Sequence, residues 1–123
     1  MEKTAVTSLS LTDLAIEGLR DKKGLDIVRM DLKKSSGAIT DYFVICTGTS
    51  DRHVKALADS VQDTIREQIR QKPLNVEGTQ LGEWVLIDYV DIVIHIFLQD
   101  KREFFSLEDL WGDAPIEKIA SEA

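Results

Sequence analysis

The stretch Trp84 to Phe97 reads WVLIDYVDIVIHIF, and its reading decides the fold. Val85, Ile87, Ile92, Val93, Ile94 and Ile96 make it the densest β-branched run in the chain. Branched side chains fit a pleated surface better than a helix. The run is too long for one average strand and carries two carboxylates near its middle. It therefore predicts two strands joined at Tyr89-Val90. With those residues as a tight loop, Asp88 faces Asp91, Leu86 faces Val93 and Trp84 faces His95. Alternation puts these residues, with Phe97, on one face of the hairpin. The other face carries Val85, Ile87, Ile92, Ile94 and Ile96; it is apolar throughout and predicts core. The Trp84 face mixes large apolar groups with Asp88, Asp91 and His95. Like charges placed opposite each other call for water or a positive partner, so this face is the first candidate for function. Tyr89-Val90 is poor chemistry for a tight turn, which favours Gly or Asn.

Working outward, the 123 residues suffice for one domain with a proper core, 1–123, and are too few for two of ordinary size. A hydrophobic content of 43% and a charged content of 30% are ordinary for a soluble globular protein. The formal net charge of −7 argues against direct nucleic-acid contact, which calls for a basic face, and suits a basic protein partner. The lone Cys46 lies in the apolar run Tyr42-Phe43-Val44-Ile45-Cys46 and reads as a buried core thiol. Residues 1–12 lack the pattern of a secretory signal, and no apolar run approaches a membrane span. A cytoplasmic protein is expected.

Along the chain, Leu9, Leu11, Leu14, Ala15, Ile16 and Leu19 mark a first helix, capped by Ser8, Ser10 or Thr12 and ended by Gly24. Strands follow over 26–32 and 41–47. The second is almost continuously apolar, as in a strand covered on both sides. Ser50 caps a second helix over about residues 51–71, with Val54, Leu57, Ala58, Val61, Ile65 and Ile69 at helical spacing and Pro73 beyond it. A short edge strand is expected over 74–76, then the hairpin, then one helical element over 101–111. Residues 115–123 read as a loose tail, leaving a core of about 11–114. The order αββαβββα predicts an α/β (mixed α+β) domain with a mixed, roughly five-stranded sheet flanked by helices.

Four groups invite chemistry. Thr47-Gly48-Thr49-Ser50 at a strand-to-helix junction could cradle an anion, yet it has one glycine and no P-loop lysine, and a capped turn explains it. Asp88 and Asp91 could hold a divalent cation, as in nucleotidyl transferases. However, they flank a turn instead of alternating along one strand. His95 on an apolar strand and His53 at a helix start have ordinary structural roles, and His95 has no second His or Cys nearby in sequence. Trp84 reads either as core or as an anchor in a binding face. No metal or cofactor site is expected.

Three ordered blocks carry a resemblance: Asp41 to Ser50 with Arg52-His53; Trp84 to Asp91 with His95-Ile96-Phe97; and Arg102 to Phe105 with Leu107 to Trp111. Together they closely resemble the ribosomal silencing factor, or Iojap-related, family, over about residues 11–114. The resemblance implies a fold related to nucleotidyl transferases without known catalysis, and a protein that often forms homodimers. It implies binding to the large ribosomal subunit through ribosomal protein fourteen, on the face where the small subunit docks. Subunit joining is thereby blocked under nutrient limitation or in stationary phase. The expected contact residues are Trp84, Leu86, Asp88, Asp91, His95, Phe97 and Glu108. The alternative is a nucleotide- or metal-dependent transferase built on Gly48, Ser50, Asp88 and Asp91. Two positions depart from the family pattern: Val90 stands where glycine is common, and Phe105 where tyrosine is common.

Overall fold

A computed structural model describes residues 6–35 and 37–120, with all their side chains except those of Phe104 and Phe105. The expectation about Phe105 thus lies outside the described residues. The elements in chain order are α1 (Ser8–Asp21), β1 (Leu25–Asp31), β2 (Tyr42–Gly48), α2 (Asp51–Ile69), β3 (Asn75–Glu77), β4 (Trp84–Asp88), β5 (Ile92–Leu98), α3 (Gln99–Phe105), α4 (Leu107–Leu110) and β6 (Ile116–Lys118). The strands form a six-stranded mixed sheet in the order β3-β4-β5-β2-β1-β6. Only the central β2–β5 pair is parallel; the other neighbours are antiparallel. The chain passes from β2 to β5 through α2, β3 and β4, a long connection of the kind parallel strands require.

The apolar face of the hairpin lies under α1 and α2. Val85, Ile87, Ile92, Ile94 and Ile96 are all fully buried there, with Val44, Cys46, Leu57, Val61 and Ile65. The two helices cross closely at Gly18, where an added Cβ would sit 2.9 Å from the Ser60 carbonyl oxygen. Across that contact the Ser60 hydroxyl donates to the Gly18 carbonyl at 2.7 Å. Thr7, rather than Ser8, Ser10 or Thr12, caps α1, accepting from the Ser10 N–H. Ser50 caps α2 as expected, accepting from the His53 N–H at 3.1 Å.

The C-terminal region differs from the expectation in two ways. The helical element after β5 is two short helices, because Ser106 adopts the left-handed conformation (φ 46°) and breaks the run. The tail expected to be loose instead contributes β6, paired antiparallel with β1. The Ile119 N–H donates to the Ile27 carbonyl at 2.9 Å. Arg29 ties this strand down, bonding Glu117 at 2.7 Å and Asp13 of α1 at 2.6 Å. Charge-assisted pairs from an Arg only 13% exposed hold an edge that apolar patterning does not announce. Residues 121–123 of that expectation lie outside the described residues.

Candidate functional site

The sheet face away from α1 and α2 is incompletely covered. Residues 99–114 pack over one half of it, forming a second core of Val28, Met30, Leu32, Ile45, Phe97, Leu107 and Ala114. Toward β4 the cover thins. Trp84, Leu86 and Asp88 of β4, Val93 of β5 and Phe43 of β2 are half-buried. The register aligns Leu86 with His95 and Ile45, and Asp88 with Val93 and Phe43. The result is an apolar strip on a rigid sheet, with a carboxylate at one end.

Two of the expected contact residues lie beneath this strip instead of on it. Phe97 is fully buried and His95 is 4% exposed. Trp84 stacks on Phe97 with ring centroids 5.1 Å apart, and its indole N–H donates to His95 Nδ1 at 3.1 Å. Phe43 meets the imidazole edge-on at 4.5 Å. Because an indole nitrogen only donates, Nδ1 must accept, and the neutral ring carries its hydrogen on Nε2. That Nε2 is buried and has no hydrogen-bond partner. Burial pushes the imidazole pKa down to about 4. His95 is therefore neutral at physiological pH and holds the indole as an acceptor.

The hairpin loop lies one residue further along than expected, which shifts the pairing by two residues. The loop is Val90-Asp91, so that Asp88 pairs with Val93, Leu86 with His95, and Trp84 with Phe97. The faces survive this shift, but Asp91 moves into the turn and no longer opposes Asp88. Val90 takes φ 74°, the position where glycine is favoured in such a loop. Surrounding bonds impose it. Asp88 Oδ1 accepts from the Val90 N–H at 2.7 Å, and the Thr40 hydroxyl donates to the Val90 carbonyl at 3.0 Å. The Asp41 N–H donates to the Asp91 carbonyl at 2.9 Å. One carboxylate oxygen of Asp88 is thus committed to the turn.

Glu108 does not belong to the strip. Its carboxylate is gripped by Arg102, whose Nη2 lies 3.0 Å from Oε2. The same guanidinium bonds the Asp26 carbonyl, and the Thr47 hydroxyl at 2.8 Å, clamping α3 and α4 to the start of β1 and the end of β2. At the Thr47–Ser50 junction, His53 takes a backbone N–H that an anion would otherwise accept. Its Nδ1 accepts from the Thr49 N–H at 2.9 Å, and its Nε2 bonds the Lys22 carbonyl at 2.8 Å. The Cys46 thiol is buried and its pKa is pushed up to about 12 by burial, so it is inert at neutral pH. Among the described residues, no three His, Cys, Asp or Glu side chains gather into a metal-ligating group.

Sequence reasoning placed Val93 on this face without counting it among the contact residues, and it missed Phe43 altogether. Val93 carries the hairpin's own alternation signal, on the same side as His95. Phe43 could be found only by knowing that β2 lies beside β5.

The sequence profile of the family described as "Ribosomal silencing factor during starvation" matches residues 5–123. The chain is 40% identical over 111 residues to Ribosomal silencing factor RsfS of Halalkalibacterium halodurans, covering 89% of this chain and 92% of that protein. It is 32% identical over 116 residues to the mouse protein named Mitochondrial assembly of ribosomal large subunit protein 1, covering 89% of this chain and 50% of that protein. A crystal structure of a Chromobacterium violaceum protein superposes with a TM-score of 0.81 at 37% identity, covering 95% of this chain and 93% of that one. The chain belongs to the ribosomal silencing factor family.

Proposed function

We propose that this member of the family is a translational repressor that binds the large ribosomal subunit. In this reading it docks through ribosomal protein fourteen and sterically blocks joining of the small subunit, under nutrient limitation or in stationary phase. It needs no catalysis and no cofactor, acts in the cytoplasm, and self-associates as a homodimer. Family membership supports the ribosomal assignment, as does a relative named for large-subunit assembly. The observation that carries the docking face is the half-open strip of Phe43, Trp84, Leu86 and Val93, ending at Asp88, on a chain of net charge −7. Ribosomal proteins are mostly basic. An apolar patch with an acidic flank is what a Lys- and Arg-rich partner would meet: the apolar groups supply affinity, and the carboxylate supplies encounter rate and specificity.

Gradient sedimentation with isolated subunits tests this. The protein should travel with large subunits and not with small ones; equal recovery with both would refute the reading. Leu86→Asp places a charge in the strip at a half-buried position. It should abolish the association while the variant still unfolds cooperatively. Trp84→Ala should weaken binding by about 2 kcal/mol or more, as truncation of an anchor does.

A further inference from the structure

We propose that His95 is a positioning residue for the docking face, holding the Trp84 indole in its binding orientation through Nδ1; this rests on the reading of that face given above. Three observations converge. The imidazole is 4% exposed, so it cannot itself reach a partner. It accepts the indole N–H at 3.1 Å, while Phe97 stacks under the indole at 5.1 Å. Trp84 is therefore gripped at its nitrogen and along its ring. The third observation is the buried Nε2–H, which has no partner. A phenylalanine here would bury no polar atom and would pack between the same rings. The imidazole carries an unsatisfied donor, and what it supplies in exchange is an acceptor aimed at Trp84. Such orphaned groups call for an explanation, and a half-open anchor whose orientation must be set in advance provides one. An anchor already ordered before docking loses less freedom on binding, and that gain appears directly as affinity.

Two substitutions separate positioning from packing, because they rank oppositely in stability and in binding. His95→Phe keeps an aromatic plate and removes the orphan N–H, so its melting temperature should match or exceed the wild type. It removes the acceptor, so affinity for isolated large subunits should fall about tenfold. His95→Asn puts Oδ1 near the place of Nδ1 and should bind within about threefold of the wild type. Its smaller side chain leaves a void and should lower the melting temperature. The Trp84 indole N–H resonance, assigned in a Trp111→Phe background, should move toward its solvent-exposed position in the Phe variant and stay near the wild type in the Asn variant. If wild type binds large subunits and His95→Phe binds as tightly, the positioning role is overturned and the docking reading stands. If binding follows melting temperature across the two variants, His95 is only a core residue. If wild type does not bind large subunits at all, the docking reading fails and takes the positioning role with it.

Discussion

The two faces of the central sheet are made from alternate residues of the same strands, yet they are finished to different standards. Beneath α1 and α2, Ile87, Ile94 and Val44 align across three strands and are fully buried, without a polar atom among their side chains. One residue along, Leu86, His95 and Ile45 align in the same way on the other side. There Leu86 is half-buried, and His95 keeps a nitrogen without a partner. The closed face minimises its own energy. The open face keeps apolar surface half in water and a polar group half satisfied. A protein gains nothing by itself from such an arrangement, so the open face makes sense as surface held for a partner. Within one strand, fold and function are therefore separable by parity.

The sharpest test of that parity compares neighbours. Ile94→Ala should cost about 2–5 kcal/mol of stability, since it opens a cavity beneath two packed helices. Large-subunit binding, measured where the variant is folded, should be unchanged. Leu86→Ala removes a side chain already half in water and should cost about 1 kcal/mol, while weakening large-subunit binding. Denaturant melts run beside pelleting assays give both numbers. If the two variants lose stability equally, the two faces do not differ in kind.

The next effect concerns pH. His95 titrates at about 4 in the folded chain, against an ordinary 6.5, because burial disfavours the imidazolium. Between those values the unfolded chain binds a proton that the folded one refuses. The stability linked to this group is therefore complete above pH 6.5 and is lost as pH falls toward 4. The loss approaches about 3 kcal/mol. Its aligned neighbours Leu86 and Ile45, and the rings of Trp84, Phe43 and Phe97, carry no charge that would offset it. In His95→Phe this dependence should vanish. The difference in unfolding free energy between variant and wild type should move in the variant's favour from pH 7 to pH 4.5. A constant difference would mean that the imidazole is wetter than its burial implies.

The strands of this comparison were legible in the sequence, since Val85, Ile87, Ile92, Ile94 and Ile96 announce a pleated, one-sided core. The register was not. Reading Tyr89-Val90 as the loop follows from local symmetry, whereas the actual loop is fixed by Asp88, Thr40 and the Asp41 backbone, and Thr40 and Asp41 lie 50 residues from the loop residues they bond. Glu108 looked available because an acidic residue on a short helix usually is; only the fold brings Arg102 round to occupy it. β6 was invisible because Ile116-Glu117-Lys118 has no apolar period, and its hold comes from Arg29 and from backbone pairing. Trp84 and Leu86 were found by alternation alone. The burial of Phe97 depends on residues 99–114 folding back over the sheet, and His95 is enclosed by the rings of Phe43, Trp84 and Phe97, neither of which alternation can express.

The smallest effect lies at the turn, where the two faces meet. Val90 holds φ 74°, a conformation its branched side chain resists by about 1–2 kcal/mol. Val90 is 57% exposed, so little burial is lost by removing its side chain. Glycine relieves the clash but gives the unfolded chain extra freedom, worth about 0.5–1 kcal/mol. Val90→Gly should therefore raise stability by about 0.5–1 kcal/mol. Val90→Ala, which retains a Cβ, should recover much less. Chemical denaturation of the three proteins measures this directly. Binding gives the second half of the test. If the docking strip ends at Asp88, the Gly variant should pellet with large subunits as well as the wild type does. A more stable Val90→Gly protein that binds more weakly would move the boundary of the open face outward, to include the exposed Val90 side chain.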